Sequence, residues 1–326
     1  MKLLITGGAG FIGSNFIHYY LEKYPDTEII NFDKLTYAGN LENLASLQGF
    51  ANYSFMKGDI TNKELLEYVV NMYNIDIIVN FAAESHVDRS INSSKEFVTS
   101  NIVGTQVILD VAKDNDIRLI QISTDEVYGS LGPSGYFTED TPLSPNSPYS
   151  ASKASADLLV RSYHETFGLH VNITRCSNNY GPYQFPEKLI PLMIINALKG
   201  KKLPVFGDGR NIRDWLHVRD HCSAIDSVIH KGKPGEVYNI GGSNERTNIE
   251  IVEHIVKSLG VSNKLITFVS DRLGHDYRYA IDSRKIREEL GWKPQYSFNE
   301  GIVETISWYK TNENWWGKLV NSQKNF

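Results

Sequence analysis

The stretch ITGGAGFIG, residues 5–13, decides the fold of this chain. It closes an apolar run, places glycines at positions 7, 10 and 13, and opens an amphipathic segment at Phe11. In such a strand–turn–helix, Gly7 permits the tight turn, Gly10 lets the backbone approach a pyrophosphate, and Gly13 lets the helix pack on the sheet. The free N–H groups and positive dipole end of the helix favour phosphate. The spacing therefore predicts a dinucleotide-binding start to an α/β fold.

An acid follows at the place where a ribose would be bound. Asp33 ends the second apolar run, twenty residues after Gly13. A carboxylate there accepts hydrogen bonds from ribose hydroxyls and repels a 2′-phosphate, so NAD is favoured over NADP as the cofactor. Asp59 follows the third apolar run and is placed to meet the adenine amino group, although a solvated turn carboxylate explains it equally well.

The first half of the chain alternates short apolar runs with longer amphipathic segments. This alternation predicts a parallel sheet covered by helices on both faces. The predicted strands are Lys2–Thr6, Glu28–Asp33, Ser54–Gly58, Asp76–Ala82, Arg118–Ser123 and His170–Arg175, and the predicted helices are Phe11–Lys23, Lys63–Tyr73, Lys95–Asn115 and Ser150–Phe167.

After residue 178 the character of the sequence changes, because a turn-rich loop precedes shorter and more mixed elements. The fold class is therefore α/β, a Rossmann-type doubly wound parallel sheet with a smaller mixed α/β C-terminal substrate lobe. We expect residues 1–178 to form the NAD-binding Rossmann domain and residues 179–326 the second lobe, with some segments of that lobe returning to the first domain.

Composition and charge exclude several classes of function. The 326 residues carry a formal net charge of −5 with a pI of about 6.0, which disfavours nucleic acid as a partner because neutralising phosphates requires a basic surface. No apolar run is long enough for a membrane span, and glycines interrupt the N-terminal run too early for a signal peptide. The two cysteines, Cys176 and Cys222, show neither metal-ligand spacing nor a disulfide framework, so we expect a cytoplasmic location and no metal.

Tyr149 and Lys153 form a Tyr-x-x-x-Lys pair at the start of a predicted helix. A spacing of four places both on one helical face, where the ammonium and an oxidised nicotinamide would lower the tyrosine pKa and prepare a base for an alcohol proton. Chance produces this spacing often, but Thr124 ends the preceding strand where short-chain dehydrogenases orient the substrate hydroxyl. The glycine turn, Thr124, Tyr149 and Lys153 together resemble the extended short-chain dehydrogenase/reductase family.

Two acids, Asp125 and Glu126, follow Thr124 at the mouth of a buried strand, where ionised groups are costly to desolvate. If Tyr149 takes the proton from a sugar hydroxyl and NAD takes the hydride from the same carbon, a ketone forms and the neighbouring C–H becomes acidic. One carboxylate then removes that proton, and a second acid protonates the hydroxyl one carbon further, which leaves as water. This chemistry requires that the two pKa values be pushed apart.

Longer motifs extend the resemblance from Met1 to Trp292. They are TGGAGFIGSNF, NFDKLTYAGN, NFAAESHVDRSI, ISTDEVYG, SPYSASKA, RCSNNYGPYQFPEKLIP, GRNIRDWLHVRDH and DRLGHDYRYAID. With them the sequence resembles the dTDP-glucose 4,6-dehydratase family. The resemblance implies a lyase that converts dTDP-glucose to dTDP-4-keto-6-deoxyglucose and water. The implied route is transient NAD-dependent oxidation at C4, elimination across C5–C6 and hydride return to C6, in deoxysugar biosynthesis of the dTDP-rhamnose type.

Two other functions stay open. One is a 4,6-dehydratase or 4-epimerase that acts on another nucleotide sugar, and the acidic pair disfavours the epimerase. The other is a catalytically silent NAD-sensing module, which the intact Thr124, Tyr149 and Lys153 disfavour because a sensor needs no base.

The resemblance also implies roles for individual residues. Asp125 is the acid for the leaving hydroxyl, Glu126 is the base at C5, and Tyr149 is the base at the C4 hydroxyl, with Thr124 and Lys153 in support. The implied cofactor-binding residues are Gly7, Gly10, Phe11, Ile12, Gly13, Asp33, Lys34, Leu35, Thr36, Asp59, Ile60, Phe81, Ala82, Ala83, Ser100, Tyr149, Lys153 and Asn179. The implied substrate-binding residues are Glu84, Ser85, Thr124, Asn178, Lys188, Leu189, Pro204, Val205, Phe206, Arg213, Asn248, Arg272 and His275.

Arg213 and Arg272 present forked donors that suit pyrophosphate oxygens. The family usually has Pro where this chain has Leu273, and commonly Arg where it has Tyr277, so the departures concern phosphate affinity rather than the reaction. The family is dimeric through its two long helices, so the resemblance implies a homodimer. The tandem tryptophans at positions 315 and 316 are expected to pack rather than to bind a ligand.

Overall fold

The computed structural model describes residues 1–323. Its strands are β1 (Lys2–Thr6), β2 (Glu28–Asp33), β3 (Tyr53–Lys57), β4 (Ile77–Asn80), β5 (Arg118–Thr124), β6 (Val171–Cys176), β7 (Asn178–Tyr180), β8 (Leu203–Phe206), β9 (Ile212–His217), β10 (Val237–Ile240), β11 (Glu245–Thr247) and β12 (Ile266–Val269). Its α-helices are α1 (Phe11–Lys23), α2 (Lys63–Tyr73), α3 (Val87–Asn92), α4 (Lys95–Phe97), α5 (Gly104–Asp114), α6 (Pro148–Phe167), α7 (Leu189–Leu198), α8 (Val218–Lys231), α9 (Asn248–Leu259), α10 (Arg284–Leu290), α11 (Phe298–Thr311) and α12 (Glu313–Gln323). Short 3-10 helices cover Leu41–Leu47, Asp125–Tyr128 and Asn263–Leu265, and a π-helix covers Val98–Val103.

The main sheet has seven parallel strands in the order β10-β6-β5-β4-β1-β2-β3. Every residue of β4 and β6 is buried, as expected for parallel strands with helices on both faces. The direction of winding reverses between β1 and β4, so the carboxyl ends of these strands border a crevice where such folds bind ligands. The predicted Rossmann-type doubly wound sheet is confirmed.

Parts of the second half of the chain return to this sheet. Strand β10 pairs with β6, and helix α8 packs on α1, where Phe16, Cys222 and Ile225 share one buried core. This return follows from the need to cover the apolar face of α1 and β1. The division at residue 178 into two domains stays a prediction.

The remaining C-terminal elements form a second core beside the carboxyl ends of the sheet. Strands β11, β9 and β7 form a three-stranded sheet, and β12 pairs with β8. Helices α7, α9, α11 and α12 enclose a cluster of apolar side chains that includes Trp215, Trp315 and Trp316. The expectation that the tandem tryptophans pack is therefore confirmed.

One predicted helix differs in detail. The segment predicted as a continuous helix from Lys95 to Asn115 consists of α4, a π-helical turn and α5. The apolar periodicity does not reveal the wider π turn, because it displaces side chains only locally. None of the helices within residues 1–323 combines the length and apolar character that crossing a lipid bilayer requires.

Candidate active site

The glycine turn after β1 lies directly against the loop after β4. Gly7 has φ +69°, and a Cβ built on it would lie 2.5 Å from the backbone N of Ala82. A Cβ on Gly13 would lie 2.6 Å from the carbonyl oxygen of Gly7. Only glycine fits these positions, and the close approach leaves the first N–H groups of α1 facing a cleft rather than a side chain.

The carboxylate at the end of β2 is held in a fixed orientation. Asp33 Oδ2 accepts a hydrogen bond from Ala9 N at 3.0 Å, and Oδ1 accepts one from Leu35 N at 2.7 Å. Burial raises the pKa of Asp33, and the two N–H groups oppose that rise. A glycine cradle next to an oriented carboxylate fits the pyrophosphate and ribose of an adenine dinucleotide.

One continuous cleft runs from the glycine turn to the carboxyl end of β5 and brings most of the predicted cofactor residues together. Leu35 does not line this cleft, and its backbone N–H instead donates a hydrogen bond to Asp33 Oδ1. Lys34 Nζ pairs with Asp59 Oδ2 at 2.7 Å near the ends of β2 and β3. The predicted cofactor residues that line the cleft are Gly7, Gly10, Phe11, Ile12, Gly13, Asp33, Lys34, Thr36, Asp59, Ile60, Phe81, Ala82, Ala83, Ser100, Tyr149, Lys153 and Asn179.

The acidic pair follows β5 in a short 3-10 helix capped by Thr124, whose Oγ1 accepts from Glu126 N at 3.3 Å. Asp125 is 1% exposed and is not among the residues that line the cleft, and its Oδ1 accepts a hydrogen bond from the Thr124 hydroxyl at 3.4 Å. Burial raises the pKa of Asp125 well above its ordinary value, and the charges of Glu126 and Asp214 raise it further. These influences favour the protonated form of Asp125.

Glu126 differs from its neighbour because its side chain lines the cleft. Burial raises the pKa of Glu126 as well, but the positive charges of Arg213 and Lys188 oppose the rise. Among the largest influences on the pKa of Asp125, Arg213 opposes the two carboxylates of Glu126 and Asp214. The surroundings therefore favour a protonated Asp125 beside an ionised Glu126, which is the division that an acid–base pair needs.

Tyr149 and Lys153 lie on one face of α6 and line the cleft beside Thr124. Lys153 Nζ donates to the carbonyl of Ile122 at 2.7 Å, and burial lowers the pKa of its ammonium. Burial raises the pKa of Tyr149 well above its ordinary value, and the charge of Glu126 raises it further. This direction is opposite to the one expected from a neighbouring ammonium, because desolvation is the largest influence on the pKa of Tyr149. An ionised Tyr149 therefore requires a further positive charge in the cleft.

Sequence reasoning missed Asn101, which fastens the cleft wall. Asn101 lies in the π-helix, where Ser100 lines the cleft and Asn101 is 1% exposed. Its amide bonds both backbone groups of Glu84, after β4, and donates to Ser152 Oγ on α6 at 2.8 Å. An asparagine next to a predicted site serine was the available signal, but its three partners are distant in sequence.

The predicted substrate residues divide into two groups. Glu84, Ser85, Thr124, Asn178 and Lys188 line the cleft, and Lys188 Nζ donates to Ser85 O at 2.9 Å. The residues outside the lining are Leu189, Pro204, Val205, Phe206, Arg213, Asn248, Arg272 and His275. The cleft lining thus includes the residues predicted to bind the sugar together with those predicted to bind the cofactor, and it leaves out the residues predicted to bind the nucleotide base and the phosphates.

The two predicted phosphate-binding arginines are held by protein groups. Arg213 is 7% exposed, donates to the carbonyl of Asp276 at 3.0 Å and packs on the Tyr279 ring. Arg272 pairs with Asp88 at 3.0 Å, and its guanidinium lies over the Phe206 ring. His275 Nδ1 lies 2.6 Å from Asp271 Oδ1. The two departures from the family, at positions 273 and 277, are solvent-exposed side chains.

Several other cleft residues were not predicted. Gln184 comes from the loop that the sequence predicts as turn-rich, and Glu187 precedes α7, which begins at Leu189 rather than at Glu187 as predicted. Others directly precede or follow predicted residues at strand ends, and that position was the signal that could have found them. The unpredicted lining residues are Phe32, Ala38, Gly39, Gly58, Ile122, Ser123, Cys176, Ser177, Gln184, Phe185 and Glu187.

The fold and the site define a class, the Rossmann-fold enzymes of the short-chain dehydrogenase/reductase type. A family sequence model described as GDP-mannose 4,6 dehydratase matches residues 4–305. The dTDP-glucose 4,6-dehydratase of Xanthomonas campestris pv. campestris (strain B100) is 51% identical over 331 residues, which cover 96% of this chain and 94% of that protein. The chain therefore belongs to this 4,6-dehydratase family and is an enzyme of the dTDP-glucose 4,6-dehydratase type, as its motifs predicted.

Solved structures agree with this assignment. The dTDP-glucose 4,6-dehydratase of Bacillus anthracis str. Ames, in complex with NAD, is 58% identical with a TM-score of 0.93, and the match covers 98% of this chain and 99% of that one. The dTDP-glucose 4,6-dehydratase of Streptomyces venezuelae, with NAD and TYD bound, is 51% identical with a TM-score of 0.95 and coverage of 98% and 100%.

Proposed function

We propose that this chain converts dTDP-glucose to dTDP-4-keto-6-deoxyglucose and water, with NAD as its resident cofactor. The observation that carries the proposal is the arrangement of Asp125 and Glu126. The surroundings of Asp125 raise its pKa and favour its protonated form, Glu126 lines the cleft, and both directly follow Thr124 beside Tyr149. A dehydration needs an acid and a base at the same carbon pair, and this arrangement supplies both.

The cofactor-side residues support NAD. The glycine turn leaves backbone N–H groups free to bind the phosphates, and the fixed carboxylate of Asp33 can accept hydrogen bonds from the ribose hydroxyls. Bound between the glycine turn and Tyr149, NAD would supply a reversible hydride acceptor for C4 and C6 and a positive charge that would lower the pKa of Tyr149. The same carboxylate would repel a 2′-phosphate, which favours NAD over NADP.

The residues of the chain divide the proton transfers among them. Tyr149 takes the proton of the C4 hydroxyl, which Thr124 orients, while Lys153 favours the tyrosinate from its place on α6. Glu126 removes the C5 proton once C4 is a ketone, and it returns a proton to C5 when the hydride reaches C6. Asp125 does not line the cleft, so its carboxyl must turn towards the C6 hydroxyl when substrate binds. It then gives its proton to this hydroxyl, which leaves as water. The protein thus needs no external acid or base for the elimination.

The rival function within this fold is a 4-epimerase, or a 4,6-dehydratase for another nucleotide sugar. An epimerase returns the hydride to C4 and has no use for a protonated carboxyl at C6, so the buried Asp125 favours dehydration. The identity of the nucleotide base is less constrained, because the residues proposed to bind that base lie outside the cleft lining. We propose thymine as the nucleotide base, because the similar proteins described above are dTDP-glucose 4,6-dehydratases.

A direct assay tests the function. Purified protein incubated with dTDP-glucose should form a 4-keto sugar, which develops ultraviolet absorbance in alkali. Parallel incubations with UDP-, CDP- and GDP-glucose should react more slowly. Absence of the alkaline absorbance in an enzyme loaded with NAD would overturn the proposal in favour of the silent sensor. Recovery of a galactose epimer would favour the epimerase.

We also propose that the enzyme works as a cytoplasmic homodimer whose product enters deoxysugar biosynthesis of the dTDP-rhamnose type. Val98, Val103 and Leu158 are 46%, 43% and 55% exposed on the π-helix and α6, and they supply apolar surface for a second copy. Sedimentation analysis tests the dimer, since a monomer at micromolar concentration would contradict it.

A further inference from the structure

The C-terminal helix α12 reaches back to the first half of the chain. Trp315 Nε1 donates to Asn43 Oδ1 at 2.8 Å, and the two side chains are 8% and 2% exposed. Lys318 Nζ and Glu42 Oε1 lie 2.6 Å apart on the surface above them. The tandem tryptophans therefore have different partners, because Trp316 Nε1 donates to the carbonyl of Tyr309 within the C-terminal helices.

The Asn43 side chain links Trp315 to the glycine turn. Its Nδ2 donates to the carbonyl of Ala9 at 3.0 Å, and the same carbonyl accepts from Asn40 N at 2.9 Å. The N–H of Ala9 donates to Asp33 Oδ2 at 3.0 Å. Ala9 is fully buried, so its peptide groups are fastened by the Asn43 side chain on one side and by the proposed ribose carboxylate on the other.

The indole decides which way the Asn43 amide points. An indole nitrogen can only donate, so it must face the amide oxygen, and the amide nitrogen is then left to face Ala9 O. In the reverse orientation two donors would meet at Trp315 and two acceptors at Ala9, with all four groups buried. The carbonyl of Asn43 is separately bound by His18 Nε2 at 2.7 Å, which fixes its backbone beside α1.

We propose that Trp315 and Asn43 are positioning residues for the cofactor, which set the glycine turn before the dinucleotide binds. The inference rests on the proposed function in that NAD is the ligand. The turn uses backbone N–H groups, whose direction depends on the orientation of the neighbouring peptides. A turn that is already fixed loses less conformational freedom on binding, so loss of the Trp315 donor weakens NAD binding without removing any NAD contact.

The test is the dissociation constant of NAD, measured by titration calorimetry on wild-type protein stripped of nucleotide and on Trp315→Phe. Phe keeps most of the ring packing and removes the donor. We expect weaker binding by about three- to tenfold, the range for one net hydrogen bond, and faster release of NAD from the holoenzyme. The kcat at saturating NAD should change less than the dissociation constant.

Trp316→Phe is the matched control. It removes the same donor from the same cluster, but its acceptor is the backbone carbonyl of Tyr309 rather than the Asn43 amide, so NAD affinity should fall much less than in Trp315→Phe. Equal weakening in both variants would assign the effect to general loosening of the C-terminal core and would overturn the inference. Wild-type affinity in Trp315→Phe would overturn it as well.

Asn43→Asp gives a second route if Trp315→Phe folds poorly. Asp keeps an acceptor for the indole but replaces the donor to Ala9 O with an oxygen, so NAD affinity should fall by at least as much as in Trp315→Phe. Wild-type NAD affinity in Asn43→Asp would refute the proposed positioning role of Asn43 and Trp315. A wild-type protein that fails to bind NAD would instead refute the proposed function, so the two failures are distinguishable.

Discussion

Replacing Glu126 by Gln should separate the two halves of the proposed reaction. The substitution keeps the shape of the side chain and removes its charge. Within residues 1–323 no group donates a hydrogen bond to the Glu126 carboxylate, which faces the cleft, so the substitution leaves no donor unsatisfied. We therefore expect the free energy of unfolding to change by less than about 1 kcal/mol.

The effect on the chemistry should be much larger. A positioned general base contributes about 10²- to 10⁴-fold, so C5 proton removal should slow by that factor, which is about 3 to 5 kcal/mol in activation free energy. The charge of Glu126 raises the pKa of Tyr149, so its removal lowers that pKa. Oxidation at C4 should therefore persist, and its rate should hold to lower pH than in the wild type.

Two measurements on one sample check this reasoning. Nuclear magnetic resonance of the sugar recovered from D₂O should show no deuterium at C5, while the absorbance of reduced nicotinamide should persist after substrate is added. Glu139→Gln is the control, since burial also raises the pKa of Glu139 but that residue lies outside the cleft lining. Normal deuterium incorporation in Glu126→Gln would remove Glu126 from the role of base.

Two further predictions concern the turn and the pH dependence of stability. Gly7→Ala should lower the free energy of unfolding by about 3 kcal/mol or more and abolish NAD binding, because the methyl group meets Ala82 N and φ is strained. Gly168→Ala, with φ +70° and nothing within 4 Å of its Cβ, should lose only about 1 kcal/mol. Equal losses in urea denaturation would refute the steric argument. Burial lowers the pKa of His221 to about 3, so the unfolded chain binds a proton more readily than the folded one. The associated stability is full above the ordinary histidine pKa and is lost as the pH falls towards the folded value, by about 2 kcal/mol between pH 7 and pH 5. In His221→Gln this part of the loss should disappear, and an unchanged pH profile would contradict it.

The fold could be predicted from local features because they act over short distances along the chain. The glycine spacing from position 7 to 13 and the alternation of apolar runs with amphipathic segments depend on backbone geometry and on burial of one face. The same holds for Tyr149 and Lys153, whose spacing of four defines a common helical face. These features gave the parallel sheet, the cleft and the reacting residues.

The roles within the acidic pair were reached by a different route. Sequence placed Asp125 and Glu126 side by side, and the resemblance assigned one as acid and the other as base. The positions of the two side chains supply the physical difference. Asp125 is outside the cleft lining and the charge of Asp214 raises its pKa, whereas Glu126 lines the cleft and the charge of Lys188 opposes the rise of its pKa. The opposite pKa direction at Tyr149 likewise reflects burial, which local spacing does not report.

The sequence by itself determined the Rossmann-type sheet and the glycine turn, and it predicted the groups proposed to react, because each is encoded by neighbours within a few turns of the chain. Only the tertiary structure decided which buried groups meet, as in the contact of Asn43 with Trp315 across 272 positions. It also decided that Arg213 is held by backbone carbonyls and that α8 and β10 return to the first sheet. The physical reason is that such contacts depend on how whole elements pack to bury their apolar faces, and packing brings together side chains whose separation in sequence carries no periodic signal.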